Sequence, residues 1–342
     1  VIDLASDTKT RPTPAMRRAI YTAEVGDDHF GEDPTVNTLV AFGAELLGKE
    51  AALFLPSATM ANQIAIKIHT RLGDEVICHE HAHILLYESG GPAFLSGCLL
   101  RPLSGARGVF SGAQVRAAVR PDGPYFPPTR LVCIENTHNA AGGTVWREAE
   151  LDDVADAAAA HGLPLHVDGS RLLNAAVASG IAPARLVRRC DTVTLCLSKG
   201  LGAPAGALLL GTRDAIAAAR RWKHAFGGAM RQAGILAAGG LHALTHHIER
   251  LADDHDNARR LAAGLADIPG VRPDPFAQTN LVFVDIAGLK IDPATAVARL
   301  EREGVLCSGT GTRLRFVTHL DISAGDVDAA IEAARRAWTS RS

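Results

Sequence analysis

Short apolar runs alternate with helix-length stretches along much of this chain, and that alternation restricts the fold more than any other property. The runs fall at 52–55, 75–78, 131–135, 163–167, 192–197 and 206–210. Helical spacing fills 60–72, 151–161 and 214–224; Met60, Ile64, Ile68 and Leu72, for instance, would share one buried face. Strands apolar on both faces, separated by helices, imply an α/β layer around a mostly parallel sheet. Residues 234–265 read as one long helix rich in alanine and leucine. Beyond Pro269 the pattern becomes strand, helix, strand, helix at 281–286, 293–303, 314–317 and 324–338. The expected organisation is a large α/β unit at 1–245 and a small C-terminal α+β unit at 246–342, which the first few residues are free to join.

Polar residues stand just past the strand ends: Ser57, His83, Asn136, Asp168 and Lys199. In open α/β sheets ligands bind outside the carboxyl ends of the strands, so these five can converge on one cleft. Asp168 closes the run Leu165-His166-Val167-Asp168, and Lys199 stands in Leu197-Ser198-Lys199-Gly200-Leu201-Gly202. A lysine amine forms a Schiff base with an aldehyde cofactor, and a carboxylate holds a proton on a pyridine nitrogen. The pair is what a pyridoxal phosphate enzyme requires. Taken singly, each has a plain reading as a solvated loop lysine or a turn aspartate. Residues 56–62 open a helix after a strand, whose free N–H groups suit a phosphate, though a simple N-cap would look the same. Glycines around Lys199 predict close backbone approach to something held at that turn.

His79, His81 and His83 alternate, which on a strand places them on one face. No cysteine or carboxylate cluster at metal-ligand spacing accompanies them, so no metal is expected and His83 is read as a residue beside a cofactor ring. In Arg313-Leu314-Arg315-Phe316-Val317 alternation sets Arg315 on the face opposite Leu314 and Phe316, and its planar fork matches a carboxylate.

A net charge of −2 provides no field for nucleic acid or an anionic membrane, and no apolar run reaches the length of a span. The opening residues have no basic stretch before an apolar one, as a secretory leader would. Six scattered cysteines without a Cys-x-x-Cys pair predict buried free thiols and a cytoplasmic setting.

Together these residues resemble the low-specificity L-threonine aldolases of the aspartate-aminotransferase superfamily (fold type I). The likeness also takes in Ser6-Asp7-Thr8, Thr10-Arg11-Pro12, Gly26-Asp27-Asp28, Phe30-Gly31-Glu32-Asp33-Pro34-Thr35, Glu135-Asn136-Thr137-His138-Asn139, Gly227-Gly228-Ala229-Met230-Arg231-Gln232, Asp254-His255-Asp256-Asn257 and 315–321. It implies retro-aldol cleavage of L-threonine, L-allo-threonine and related β-hydroxy-α-amino acids to glycine and an aldehyde. By the resemblance Lys199 carries pyridoxal phosphate and Asp168 pairs with its ring nitrogen. Ala58 and Thr59 hold the phosphate, and His83 stacks on the ring. Arg171 meets a cofactor oxygen and, with Ser6 and Arg315, the substrate carboxylate. Glu88 is a supporting acid. Lys223 and Arg231 would reach a neighbouring subunit's phosphate in a homotetramer with shared active sites. His83, directly or through water, is the expected base for the β-hydroxyl.

The chain departs from the family at Ala58, where glycine is commoner, and at Ser170, where alanine is. Lys9, His29 and Ala229 also differ. A positive φ at Ala58 would be strained. The competing enzymatic reading is another pyridoxal phosphate lyase, of phenylserine-aldolase or β-eliminating type; the non-enzymatic one is a cofactor-binding module.

Overall fold

The computed structural model describes residues 1–339. All six apolar runs form strands. Numbered along the chain, β1 is Ile2–Asp3, β2 Ala51–Leu55, β3 Glu75–His79, β4 Leu99–Leu103, β5 Thr129–Glu135, β6 Leu165–Gly169, β7 Thr192–Cys196 and β8 Ala207–Gly211. Strands β2 to β8 make one seven-stranded sheet in the order β2-β8-β7-β6-β5-β3-β4. Only β8 runs against its neighbours; the other pairings are parallel. The strand absent from the sequence reading is β4. It lies at the sheet edge, where the ladder tolerates Pro102, and its partly exposed residues lack the continuous apolar pattern of the others.

Helices cover both faces. On one, Leu39, Leu47, Phe110, Trp146, Val154 and Leu172 join the main apolar cluster; on the other, Ala61, Ile64, Ala65, Ile216 and Ala219 pack on Leu53, Leu55 and Leu209. Trp146 is fully buried, with its indole N–H donating to the Glu135 carbonyl at 3.0 Å and its ring edge-to-face with Phe110.

The expected single helix over 234–265 is two, Gly234–His246 and Leu251–Ala266. The break exists because His247 turns inward and its Nδ1 meets the Leu201 carbonyl at 2.8 Å, next to the Lys199 turn. Past it, β9 Arg272–Pro273, β10 Leu281–Asp285, β12 Ser308–Thr310 and β13 Arg313–Val317 form an antiparallel sheet, while β11 Val305–Leu306 pairs in parallel with β1. Leu4 thereby enters the C-terminal core with Leu261, Val284, Leu300 and Phe316. Alternation on β13 is as read: Leu314 and Phe316 are buried in that core, and Arg315 faces the other way.

All six cysteines are free and buried. Among the described residues, no helix is long and apolar enough to cross a membrane.

Candidate active site

The carboxyl ends of β3, β5, β6 and β7, the middle of β13 and the N-terminal segment meet in a cavity of about 140 Å³; Ser57 and Asn136, expected there, do not line it. Its wall holds Ser6, Thr8, His83, Glu135, Asn139, Asp168, Ser170, Arg171, Lys199 and Arg315. Strands β5, β6 and β7 are neighbours in the sheet, so their carboxyl ends put Glu135, Asp168 and Lys199 side by side.

The Lys199 turn is closed by backbone alone: Gly202 N–H donates to the Lys199 carbonyl at 2.8 Å and Ala203 N–H to Leu197 at 3.1 Å. Gly202 has φ +81°, which a side chain rarely adopts. A Cβ on Gly200 would stand 3.2 Å from Leu251, and one on Gly202 3.2 Å from Leu320. The glycines therefore serve the turn and its packing against Leu251 and Leu320. The Lys199 side chain reaches the cavity, and among the described residues no hydrogen bond or ion pair engages its amine.

Asp168 is buried. Asn62 Nδ2 donates to its Oδ2 at 2.9 Å, and Ser170 N–H to its Oδ1 at 3.0 Å. Burial pushes its pKa up, but the charges of His83 and Lys199 and the Ser170 contact outweigh that and hold it below the usual range. It remains a carboxylate. Asn62 is oriented from beneath: its Oδ1 faces His166 Nε2 at 3.2 Å, and His166 Nδ1 faces Thr192 Oγ1 at 3.0 Å. Burial lowers the His166 pKa to about 4, so the ring is neutral and must use one nitrogen as donor. Assigning that donor to Nε2 leaves the Asn62 amide group free to donate to both Asp168 and Glu88, at 2.9 and 2.8 Å.

His83 is not on a strand. Strand β3 ends at His79, His81 is exposed in the turn, and His83 opens the short helix His83–Leu86, so the three do not share a strand face. His83 Nδ1 lies 2.8 Å from the buried Glu88, which also accepts from Gln63. Burial lowers the His83 pKa, but the Glu88 hydrogen bond and the charges of Asp168 and Glu88 more than offset it, and the net direction is up.

Arg171 is buried, and its fork grips Asp7 through Nε at 2.7 Å and Nη2 at 2.8 Å. Burial would raise the Asp7 pKa, but Arg171 holds it well below the usual carboxylate range. This pair ties the N-terminal segment across the cleft and sets Ser6 and Thr8 on its rim. Arg171 thus presents only its Nη1 edge to the cavity, where it donates to Asn139 Oδ1 at 3.2 Å. Arg315 Nη2 donates to the same oxygen at 3.2 Å. Arg315 Nε is buried without a hydrogen bond, and no carboxylate among the described residues pairs with this side chain. Burial and the Arg171 charge lower its pKa to about 10, still well above neutrality. A buried guanidinium with an unmet donor has the chemistry to hold a carboxylate.

Ser57 caps the helix Ala58–His69, its hydroxyl accepting from Met60 N–H at 3.2 Å. Ala58 is the first helical residue and has no positive φ, so the strain expected there is absent. The free N–H groups of that turn, beside Ala58 and Thr59, open to solvent. Lys223 is buried and paired with Asp28, so within this chain its charge does not face outward; Arg231 pairs with Asp27 at 3.3 Å on the surface.

Pyridoxal phosphate fits this donor set. A free lysine amine, an ionised aspartate at the adjacent strand end and an open helix N-terminus are the three contacts its aldehyde, ring nitrogen and phosphate require. Sequence reasoning did not assign roles to Asp7, Asn62, Glu135 or Asn139. Each acts through a partner on a distant segment, which spacing along the chain does not reveal.

The family model for beta-eliminating lyases matches residues 3–288. The low specificity L-threonine aldolase of Escherichia coli K12 is 43% identical over 328 residues, 94% of this chain and 95% of the relative. The chain belongs to the beta-eliminating lyase family. Within this family, low-specificity L-threonine aldolase 1 of Arabidopsis thaliana is 41% identical over 333 residues, covering 95% of this chain and 93% of the relative. A Leishmania major threonine aldolase structure shares the fold with a TM-score of 0.84 at 22% identity, over 98% of this chain and 99% of that one. The lyase fold here is thus fold type I, with a mostly parallel central sheet and a smaller C-terminal domain.

Proposed function

We propose that this chain is a pyridoxal phosphate-dependent aldolase that cleaves L-threonine, L-allo-threonine and related β-hydroxy-α-amino acids to glycine and an aldehyde. The observation that carries the reading is the joint presence, in one cavity, of a free lysine amine, an ionised aspartate and a buried arginine with an unmet donor. The similarity to low-specificity L-threonine aldolases supports the choice of reaction.

When bound, pyridoxal phosphate supplies an electron sink for the pair released from the broken carbon–carbon bond. Lys199 would hold the cofactor through its aldehyde. Asp168, kept anionic, would hold a proton on the ring nitrogen. Arg315 binds the substrate carboxylate through the Nε edge it leaves open, with Ser6 at the rim and the Arg171 Nη1 edge adjacent. Fixing the carboxylate fixes rotation about the bond from nitrogen to Cα, and so which bond is presented for cleavage. His83 takes the β-hydroxyl proton. Glu88 sets its tautomer by accepting from Nδ1, which leaves Nε2 for the substrate.

Supporting elements are assigned accordingly. Residues 1–245 form the cofactor-binding unit and 246–342 the smaller one. Ala58 and Thr59 hold the phosphate from an open corner that a second subunit would close. Phe30, Tyr87 and Phe94 are exposed, and they supply apolar surface for a homotetramer. Six buried free thiols suit the cytoplasm.

The test is an absorbance spectrum of the purified protein with and without L-threonine, with aldehyde assayed in parallel. A cofactor band that shifts, with acetaldehyde and glycine formed, is the expected result. Release of a keto acid without aldehyde would replace the aldolase by a β-eliminating enzyme. No band after adding pyridoxal phosphate would end the reading. Two variants test the roles. Arg315→Ala is expected to raise KM for L-threonine about 10- to 100-fold, the worth of hydrogen bonds to a charged group. His83→Ala should lower kcat by about 10²-fold or more with little change in KM; unchanged turnover on threonine and phenylserine would remove it as the base.

A further inference from the structure

Glu135 lines the cavity, is buried, and has no part in the chemistry above. Its two oxygens are both taken by backbone donors. Asn139 N–H donates to Oε1 and His83 N–H to Oε2, each at 2.8 Å. One contact fixes the start of the His83 helix. The other fixes the loop carrying Asn139, whose side-chain oxygen accepts from both Arg171 and Arg315 at 3.2 Å. A carboxylate meets both backbone donors at full strength; in the carboxylic acid the carbonyl oxygen still accepts well, but the hydroxyl oxygen is a much weaker acceptor.

We propose that Glu135 is a positioning residue that holds the two walls of the substrate cavity, His83 and the Asn139–Arg315 pair, together while it is ionised and loosens its hold on one of them when it takes up a proton. The inference rests on the amino-acid site proposed above. The sheet itself makes that proton uptake accessible. In the parallel pairing of β5 with β6, Glu135 stands opposite Asp168, so two carboxylates share adjacent positions. Burial, followed by the Asp168 charge, raises the Glu135 pKa to about 7, against the pull of the Asn139 and His83 contacts. The other groups facing it are Cys78 near the end of β3, whose thiol burial pushes up to about 12 and so keeps neutral, the Arg171 cation, and His83, which adds a positive charge only when protonated. An amino-acid site that loosens as the pH falls through neutrality is the consequence.

The experiment measures glycine affinity by the change in the cofactor absorbance of the holoenzyme, between about pH 6 and 8.5, for wild type, Glu135→Gln and Asn139→Ala. Ratios of dissociation constants are compared, because titrations of glycine and cofactor are common to all three and cancel. Glutamine, like the protonated acid, keeps one strong acceptor and loses the other. The Glu135→Gln to wild-type ratio should therefore be near one at the acid end and rise to about tenfold or more at the alkaline end. Infrared spectra of the wild type should show one carboxylic acid band that disappears across neutrality and is missing from Glu135→Gln. A ratio independent of pH, or no acid band titrating in that range, overturns the proposal. Should Glu135→Gln fail to fold, Asn139→Ala decides: it should bind glycine more weakly than wild type, by a factor that is smaller at acid than at alkaline pH, and a factor independent of pH overturns the proposal. A wild-type protein without a glycine-dependent band would instead refute the function on which the inference rests.

Discussion

Lys199→Ala is expected to reduce aldehyde release from L-threonine by on the order of 10³-fold or more, with the folded state nearly unchanged. The two halves of this expectation have separate causes. The turn around residue 199 is held by main-chain bonds, Gly202 to Lys199 and Ala203 to Leu197, which an alanine retains. The amine has no hydrogen-bond or ion-pair partner among the described residues, and its removal takes away only a longer-range charge that helps keep Asp168 and Asp7 ionised. A urea unfolding midpoint within a few tenths molar of wild type is the outcome for stability. Activity depends on the amine itself. No other lysine lines the cavity, so nothing there can replace the covalent hold on the cofactor aldehyde. The cofactor band of the variant should resemble that of the free aldehyde, and adding a small primary amine should restore part of the turnover. Activity within tenfold of wild type would show that Lys199 is a loop residue and remove the basis of the proposed function.

Lys199 and Asp168 were legible because a polar residue at the end of a buried strand is anomalous in its local context: the preceding residues are apolar, and the position faces the ligand side of an α/β sheet. Arg315 was legible through alternation on a short strand. Glu135 was hidden by the same logic, since as the last residue of an apolar run it resembled a turn carboxylate. Its significance depends on pairing with Asp168, and strand order is not written in any one segment. Asp7 and Asn62 were hidden differently. Asp7 acts by gripping Arg171, and Asn62 by donating to Asp168, across most of the sheet. Arg171, assigned by resemblance to a cofactor oxygen and the substrate carboxylate, has two donors, Nε and Nη2, occupied by Asp7 and turns Nη1 to the cavity. The helix over 234–265 was drawn too long for a related reason. Its alanine-rich sequence favours continuation, but a buried contact from His247 to Leu201 favours a break.

Asp168→Asn tests how the carboxylate pair is balanced, and its expected effect is a loss in kcat of about 10² to 10⁴-fold. Losing one preorganised electrostatic contact to charge that develops in the transition state costs about 10² to 10³ in kcat, and a full charge in a water-excluded site more. The amide is similar in shape, so packing is preserved, but it cannot accept from both Asn62 and Ser170 as Asp168 does at 2.9 and 3.0 Å. Two readings of a lost rate are separable. If Asp168 only retains the cofactor, saturating pyridoxal phosphate restores the wild-type rate; if it keeps the ring nitrogen protonated, the rate stays low with the cofactor fully bound. The second outcome is expected, because the depressed pKa of Asp168 keeps it charged over the whole working range. The same variant acts on Glu135. Removing the neighbouring charge takes away the second cause, after burial, of its raised pKa, so its titration should move down from about 7. The sign for stability follows. A raised pKa means that the folded chain retains a proton the unfolded chain has released, so between the ordinary value of 4.5 and about 7 wild-type stability falls as pH rises through this group. In Asp168→Asn that window should narrow from its upper end. Denaturation midpoints measured across it for both proteins would show the narrowing. An unchanged profile would mean that the two carboxylates do not interact and that burial alone sets the titration of Glu135.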